Sequence, residues 1–409
     1  MSADRLRFSL EEPASFLSWL GDGRRSRSFG DVTMAEVWAL VGLATLARRD
    51  SQSPVEVADS VPWSEGRKFA HAIGFDDIVA GTSSFGDGDI DRTVKMRRVT
   101  SQAHIEPAAR RIANFVLPPK EEDSRNALFY VLVEALRNAV QHSHDPLGCV
   151  VAAQRNERGR HANRPTIQVA VADAGIGIPQ SLTTKHPALS HSEEALEKSL
   201  WPHISGTFEE GLTGTAENAG MGLFFIAEMA KLLAGRLVIA SRGATLELIG
   251  DEEGLNQHRI GFVEPKGLGY SGTLVAFELP IGEVKDYGAL MEAIRERARL
   301  RTPSRATSRW LRFEAAPPEV QEYLVNIAAE NTIAALQFGR EAISQALLAH
   351  KPVALNFLRI PVCTQSFVHA LLFESLRLAW ALRIPIYVTN AQPAVRSNLE
   401  LLENYALAG

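Results

Sequence analysis

Within LVEALRNAVQH, residues 132–142, Glu134, Asn138 and His142 recur at every fourth position, so a helix carries a carboxylate, an amide and an imidazole on one face. The Asn138 side chain offers a neutral, hard oxygen of the kind magnesium accepts when it keeps few protein ligands and takes the rest from phosphate and water. Glu134, one turn earlier, has the chemistry to orient or deprotonate a nucleophile beside a terminal phosphate. On its own such a glutamate reads as a solvated helix charge, and His142 as a histidine favoured by the dipole at a helix end. What gives Glu134 and Asn138 their meaning is downstream.

In VADAGIGIP, Asp173 closes an apolar strand at a tight turn. A carboxylate buried there needs donors, and the amino group of adenine with an ordered water supplies them. Gly175 and Gly177 let the backbone bend toward a flat base with no Cβ in the way. In ENAGMGLFFIAEMA, Gly220 and Gly222 open an apolar helix, whose free amides and positive dipole end suit phosphate oxygens. The three stretches read together as one nucleotide pocket.

Regular elements have to hold these groups. Leu128, Val131, Leu132, Ala135 and Leu136 repeat with a helical period, which predicts a long helix, SRNALFYVLVEALRNAVQHS, with the polar residues on another face. Before it comes the helix AHIEPAARRIANFVL. After it come the strands GCVVAAQRN and TIQVAVADAG, then a long polar insertion, the helix GLFFIAEMAKLLAG and the strands RLVIASRG, ATLELIG and GTLVAFELP. Consecutive late strands leave no place for crossover helices, so the sheet is expected to be mixed or antiparallel, with helices on one side.

The ends are organised differently. Residues 1–100 read as a small α/β domain: a helix MAEVWALVGLATLARR, a short strand SPVEVADS and a helix SEGRKFAHAIGF, with GTSSFGDGDIDR as a loop or boundary. Residues 286–310 form a charged helical connector. Residues 311–409 return to α/β, with LRFEA, PVALNFLRI and IPIYVTN as strands in a parallel or mixed sheet and EVQEYLVNIAAENTIAALQFGREAISQALLAH as helical. The two ends share a rhythm that suggests a duplicated domain type.

Composition narrows the class. The 409 residues suggest two or three domains of roughly 100 to 200 residues each. Lys and Arg number 43 against 48 Asp and Glu, and the net charge of -5 gives no reason to expect nucleic acid or an anionic membrane as partner. Cys149 and Cys363, the only cysteines, fit neither a disulfide framework nor a zinc site, and a reducing compartment suits them. No window reaches the roughly 18 apolar residues of a membrane span and the start lacks a leader pattern, so a cytoplasmic protein is expected.

The boxes at residues 132–142, 171–179 and 217–230 resemble, in type and order, those of the GHKL ATPases, the superfamily of gyrase-type ATPase domains, heat-shock chaperones, MutL proteins and histidine kinases. The resemblance covers residues 101–285. It implies an α/β sandwich with a mixed sheet that binds ATP and Mg2+ beneath a flexible lid. Asn138 then holds the magnesium, Glu134 is the catalytic residue, and His142 faces the phosphates or the waters on the ion. Asp173, Gly175 and Gly177 read adenine, Ile178 beside them is a further cofactor-binding residue, and Thr273, heading GTLVAFELP, reaches Asp173 and the base through water. Gly220, Met221, Gly222 and Leu223 form the second glycine box, with Thr215, and beside it Thr213, Gly214 and Asn218, as lid contacts. HSEEALEKSLWPHISGT resembles the lid helix, with Trp201 as a packing anchor.

VALNFLRIPVCTQSFVHALLFE resembles the STAS-like domains found beside bacterial ATPases of this type, where a serine at a helix start accepts a phosphoryl group from a partner serine kinase. Ser366 stands at that place, although the acidic residues usually around it are missing; the other reading of Ser366 is a helix cap. Residues 1–100 are open to the same STAS-like assignment. The expected protein is a bacterial regulatory one that hydrolyses ATP or passes its terminal phosphoryl to a protein serine, with a protein partner on the flanking domains and a homodimer left open. The alternative is a nucleotide-gated interaction module with little turnover. Typical histidine kinases carry Asn where Glu134 stands, and no phosphoacceptor helix is evident upstream, which weighs against that class.

Overall fold

The computed structural model describes residues 6–30, 32–48, 55–58, 62–82, 89–90, 92–157, 164–184, 189, 191–202, 204, 221–250, 258–301, 310–329 and 331–406. The chain divides into two compact units, one of residues 1–199 and 226–285, the other of residues 200–225 and 286–409.

The first unit begins with two small parallel pairs, β1 (Leu6–Phe8) with β3 (Val32–Ala35) and β2 (Ser26–Ser28) with β4 (Glu56–Ala58). Around them lie α1 (Pro13–Gly21), α2 (Val37–Ala47), α3 (Glu65–Ala72) and α4 (Phe75–Ala80). Seven strands follow: β5 (Thr93–Val99), β6 (Cys149–Asn156), β7 (Thr166–Asp173), β8 (Arg236–Ser241), β9 (Ala244–Gly250), β10 (His258–Phe262) and β11 (Thr273–Pro280), ordered β10-β9-β8-β11-β7-β6-β5. Every neighbouring pair is antiparallel. The mixed sheet expected from the resemblance is therefore corrected, because β6 to β7 and β8 to β9 to β10 follow one another without the crossover helix that parallel pairing needs.

Helices cover both faces of this sheet, where the sequence suggested one. The sequence VWALVGLATLA of α2 is apolar on every side, and all 11 of its residues are buried. It packs on β6 and β7, and Phe16 of α1 meets its Trp38 edge-on at 5.1 Å. A single hydrophobic cluster joins these residues to Val150, Ala152, Ala170, Ala172, Val238, Ala240, Leu274 and Ala276, alternate positions of four strands. The intervening positions point the other way, where α5 (Ile105–Val116) and α6 (Glu122–His142) pack on β6. The first hundred residues thus share a core with the sheet, and β5, from within them, is one of its two edge strands; the boundary read at residue 100 does not separate compact units. Their two-stranded pairs also differ from the sheet of the second unit, so the two ends share an order of elements and not an architecture. Among the described residues, the middle region also holds α7 (Gly177–Thr183), α8 (Ser192–Ser199) and α9 (Gly222–Leu232).

The second unit holds α10 (Tyr287–Arg301), β12 (Leu311–Arg312), β13 (Gln321–Leu324), α11 (Thr332–Phe338), α12 (Gln345–Leu348), β14 (Val353–Asn356), α13 (Gln365–Leu382), β15 (Ile386–Thr389) and α14 (Pro393–Ala406). Its sheet, β12-β15-β14-β13, is parallel throughout. Gln321–Leu324, read as helical, is a strand in register with Val353–Asn356, a case of tertiary pairing overriding local pattern. The supposed connector α10 packs on α14, with Met291, Ile294 and Ala298 buried and Arg295 Nε donating to Asn398 Oδ1 at 2.9 Å.

Candidate functional site

The later turns of α6 carry the face read from the sequence. Glu134 is 2% exposed, and its Oε1 accepts a hydrogen bond from Arg137 Nη1 at 3.0 Å, one turn along the same helix. Asn138 and His142 are half-buried. Burial, reinforced by the positive charges of His144 and Arg137, holds the His142 imidazole down at about 4. His142 is consequently neutral at pH 7. A neutral ring keeps one donor and one acceptor.

Asp173 ends β7, opposite Thr273 of β11, which in turn stands opposite Ser241 of β8. By alternation the three share the face turned away from α2. Asp173 is 3% exposed and Ser241 fully buried. Burial pushes the Asp173 carboxyl up to about 7; the Gly175 amide, donating to Oδ1 at 3.0 Å, opposes it, the negative charge of Asp145 adds to it, and the Thr273 amide and Arg48 moderate it. A carboxyl poised near neutrality at a strand end is a common signature of a functional group.

The turn after β7 is clamped to its surroundings. Ile176 N donates to the Ser143 carbonyl at 2.8 Å, so the turn sits directly on the residue that follows α6. A Cβ on Gly175 would be driven into that same Ser143 carbonyl. Gly175 thereby admits the end of α6, a use beyond the approach to a flat base. Gly177 has φ +78, a left-handed conformation, and its Cβ would meet Ser241 Oγ at 2.8 Å. Ile178 N donates to Ser241 Oγ at 2.9 Å, Ser241 Oγ donates to the Gly272 carbonyl at 2.7 Å, and Arg242 Nη2 donates to the Gly175 carbonyl at 2.9 Å.

Beneath the turn lies Asp145. Its Oδ2 accepts from Arg48 Nη2 at 2.5 Å and from Ala174 N at 2.8 Å, and its Oδ1 from Leu147 N at 2.9 Å. Arg48 Nη1 also donates to the Gly148 carbonyl at 2.9 Å. Sequence reasoning overlooked Asp145, Arg48, Arg137, Ser241 and Arg242. Asp145 was legible as a turn residue in HDPLG, since Asp accepts from the amide two positions on. The other four take their partners from tertiary structure or, for Arg137, from a burial that spacing alone does not reveal.

Glu134, Asn138, His142, Asp173, Gly175, Gly177, Ile178 and Thr273 all belong to the first unit, and the Ser143–Ile176 bond ties the end of the Glu134 helix to the turn after Asp173. Met221, Gly222 and Leu223 open α9 within the second unit's share of the chain, with Met221 buried. Thr215 and Gly220, with Thr213, Gly214 and Asn218, lie outside the described residues. Trp201 is 43% exposed. In the second unit Ser366 is 3% exposed, and the helix cap is Thr364, whose Oγ1 accepts from Phe367 N at 3.1 Å. Among the described residues no three His, Cys, Asp or Glu side chains converge as a metal centre, and no helix is long and apolar enough to cross a membrane. No protein-family model matches the sequence, and no curated protein matches it.

Proposed function

We propose that the first unit binds ATP with magnesium, and that Glu134 makes it an enzyme that hydrolyses ATP or transfers the terminal phosphoryl group to a protein serine. The observation that carries this reading is the Ile176 N to Ser143 O bond, which puts the Asp173 turn on the end of the helix bearing Glu134 and Asn138. The groups present fit the nucleotide. Asp173, whose carboxyl is divided between its two forms near pH 7, is in its ionised form a buried acceptor for an exocyclic amine, and the Asn138 amide oxygen is a half-buried ligand of the type magnesium takes. The bound ion supplies neutralisation of charge on the phosphates. Asn138 orients it, Asp173 fixes the base, Thr273 stands beside Asp173, and Glu134 takes the proton from the attacking hydroxyl or water.

On this reading the domain is of the GHKL kind, the parallel-sheet unit is STAS-like, and residues 286–409 convey the nucleotide state to a protein partner in the cytoplasm. One observation favours a second reading, a nucleotide-gated interaction module. The Glu134 carboxylate is already occupied by Arg137 in the interior, as a purely structural ion pair would be. Turnover by wild type and by Glu134→Ala separates the two: loss of about a hundredfold or more supports the enzyme, and unchanged ATP consumption leaves only the module.

A further inference from the structure

We propose that Ser241 is a positioning residue that fixes the direction of the Thr273 hydroxyl, so that the base site takes a 6-amino purine and turns away a 6-oxo one; this rests on the reading of the Asp173 turn as the base site. Ser241 ends β8 and is fully buried. A carbonyl can only accept and a backbone amide can only donate, so Ser241 Oγ gives its one proton to the Gly272 carbonyl at 2.7 Å and receives one from Ile178 N at 2.9 Å. The third contact of Ser241 Oγ is Thr273 Oγ1 at 3.4 Å. With the serine proton already placed, the threonine is the donor there, and its oxygen shows only lone pairs to a ligand.

The groups that place the serine proton are themselves held. Gly272 is buried and packs so closely on the backbone of β7 that a Cβ would be driven into the Asp173 carbonyl. The Ile178 amide follows Gly177, whose φ of +78 is open to glycine at little cost. Arg242 Nη2, donating to the Gly175 carbonyl at 2.9 Å, ties the other end of this turn to the same strand end. Turning the Ser241 proton toward Thr273 instead would take that donor from the buried Gly272 carbonyl, which is costly in the interior.

Thr273 stands in register between Asp173 of β7 and Ser241 of β8, all three on one face of the sheet. The ionised Asp173 carboxylate is an acceptor, and the Thr273 oxygen beside it is a second. An exocyclic amine has two N–H donors to offer such a pair, whereas a ring carbonyl sets lone pairs against lone pairs. A water bridging Thr273 and Asp173 carries the same polarity, because it gives one proton to each and turns its own lone pairs to the base. Without the Ser241 hydroxyl, Thr273 can rotate and donate to a carbonyl, and the discrimination weakens.

The test is calorimetric binding of Mg-ATP and of Mg-ITP, its 6-oxo counterpart, to full-length wild type, Ser241→Ala and Ser241→Thr at pH 8, above the value of about 7 at which Asp173 titrates. Wild type should prefer ATP by about a hundredfold. Ser241→Ala should cut that preference about tenfold, with ITP gaining relative to ATP. Ser241→Thr, which keeps the hydroxyl, should restore most of it. A purely structural role weakens both nucleotides alike, so an unchanged preference in Ser241→Ala overturns the inference and leaves the site intact, as does a wild type that binds the two equally. A wild type that binds neither overturns the reading of the site and the inference with it. Should Ser241→Ala fail to fold, Thr273→Val decides. It removes the acceptor from the same strand position, so the preference should again fall about tenfold, and an undiminished preference overturns the proposal.

Discussion

Arg48 and Asp145 stand 97 positions apart in the chain, yet Arg48 Nη2 lies 2.5 Å from Asp145 Oδ2, with both side chains 4% exposed. The same carboxylate oxygen accepts the amide of Ala174, the residue after Asp173. The end of α2, the segment after α6 and the turn after β7 are therefore held by one buried charge pair. Arg48→Met leaves Asp145 as an uncompensated interior charge, and a loss of about 3–5 kcal/mol of stability is expected. Urea denaturation measures it. Arg48→Met combined with Asp145→Leu should cost clearly less than the two single changes summed; strict additivity would show that the pair is not coupled.

Two groups in the site should give opposite pH dependences. Asp173 is held at about 7 against an ordinary 3.8, so between those values the unfolded chain binds fewer protons than the fold. Stability from this group is present at low pH and is lost as pH rises through that window, by about 4 kcal/mol in total. His142 is held at about 4 against an ordinary 6.5, so there the unfolded chain binds more protons, and stability is lost as pH falls through that window. The slopes oppose one another between about pH 4 and 6.5. Asp173→Asn should gain stability with rising pH relative to wild type, and His142→Gln should lose it; denaturation at pH 5 and pH 8 distinguishes them, and parallel profiles would contradict both assignments.

Nucleotide affinity should separate the roles of Asn138 and Asp173. Asn138→Ala is expected to weaken binding of ATP about tenfold with magnesium and little without it. Asp173→Ala should weaken both equally, since it acts on the base. In wild type, affinity should rise from pH 6 to pH 8 as the Asp173 carboxylate becomes the ionised acceptor. Calorimetry at each condition checks all three, and a pH-independent affinity would remove Asp173 from the base contact.

Ser366 is expected to stay unmodified when the folded protein is incubated with Mg-ATP, because it is 3% exposed in the first turn of α13. Mass spectrometry of the peptide decides it, and stoichiometric phosphate on Ser366 would refute it. Thr364→Ala should cost about 1 kcal/mol through the lost cap, and Ser366→Ala no such amount.

The sequence made the long elements legible because their periods are unbroken: α6, β6, β7 and β11 fall where the apolar patterns put them. It also brought Asp173 and Thr273 into one site, and they prove to be register partners. Other features had no local signature. Gln321–Leu324 is a strand only because Val353–Asn356 lies beside it. Ser241 ends β8 as an ordinary serine, and its role comes from meeting Gly272 and Ile178, far away in the chain. The charge on His142 depends on burial and on neighbouring cations, neither of which spacing records.

Because α2 fills the space beside alternate residues of four strands, the N-terminal layer and the sheet have no seam along which to come apart. They must melt as one cooperative body, and the strand ends carrying Asp173, Thr273 and Ser241 are only as rigid as that body. A fragment beginning at residue 101 would lack both the helix lining and the edge strand β5, and would turn an apolar sheet face to water. The smallest heritable piece that can carry this site is therefore longer than the stretch holding its motifs.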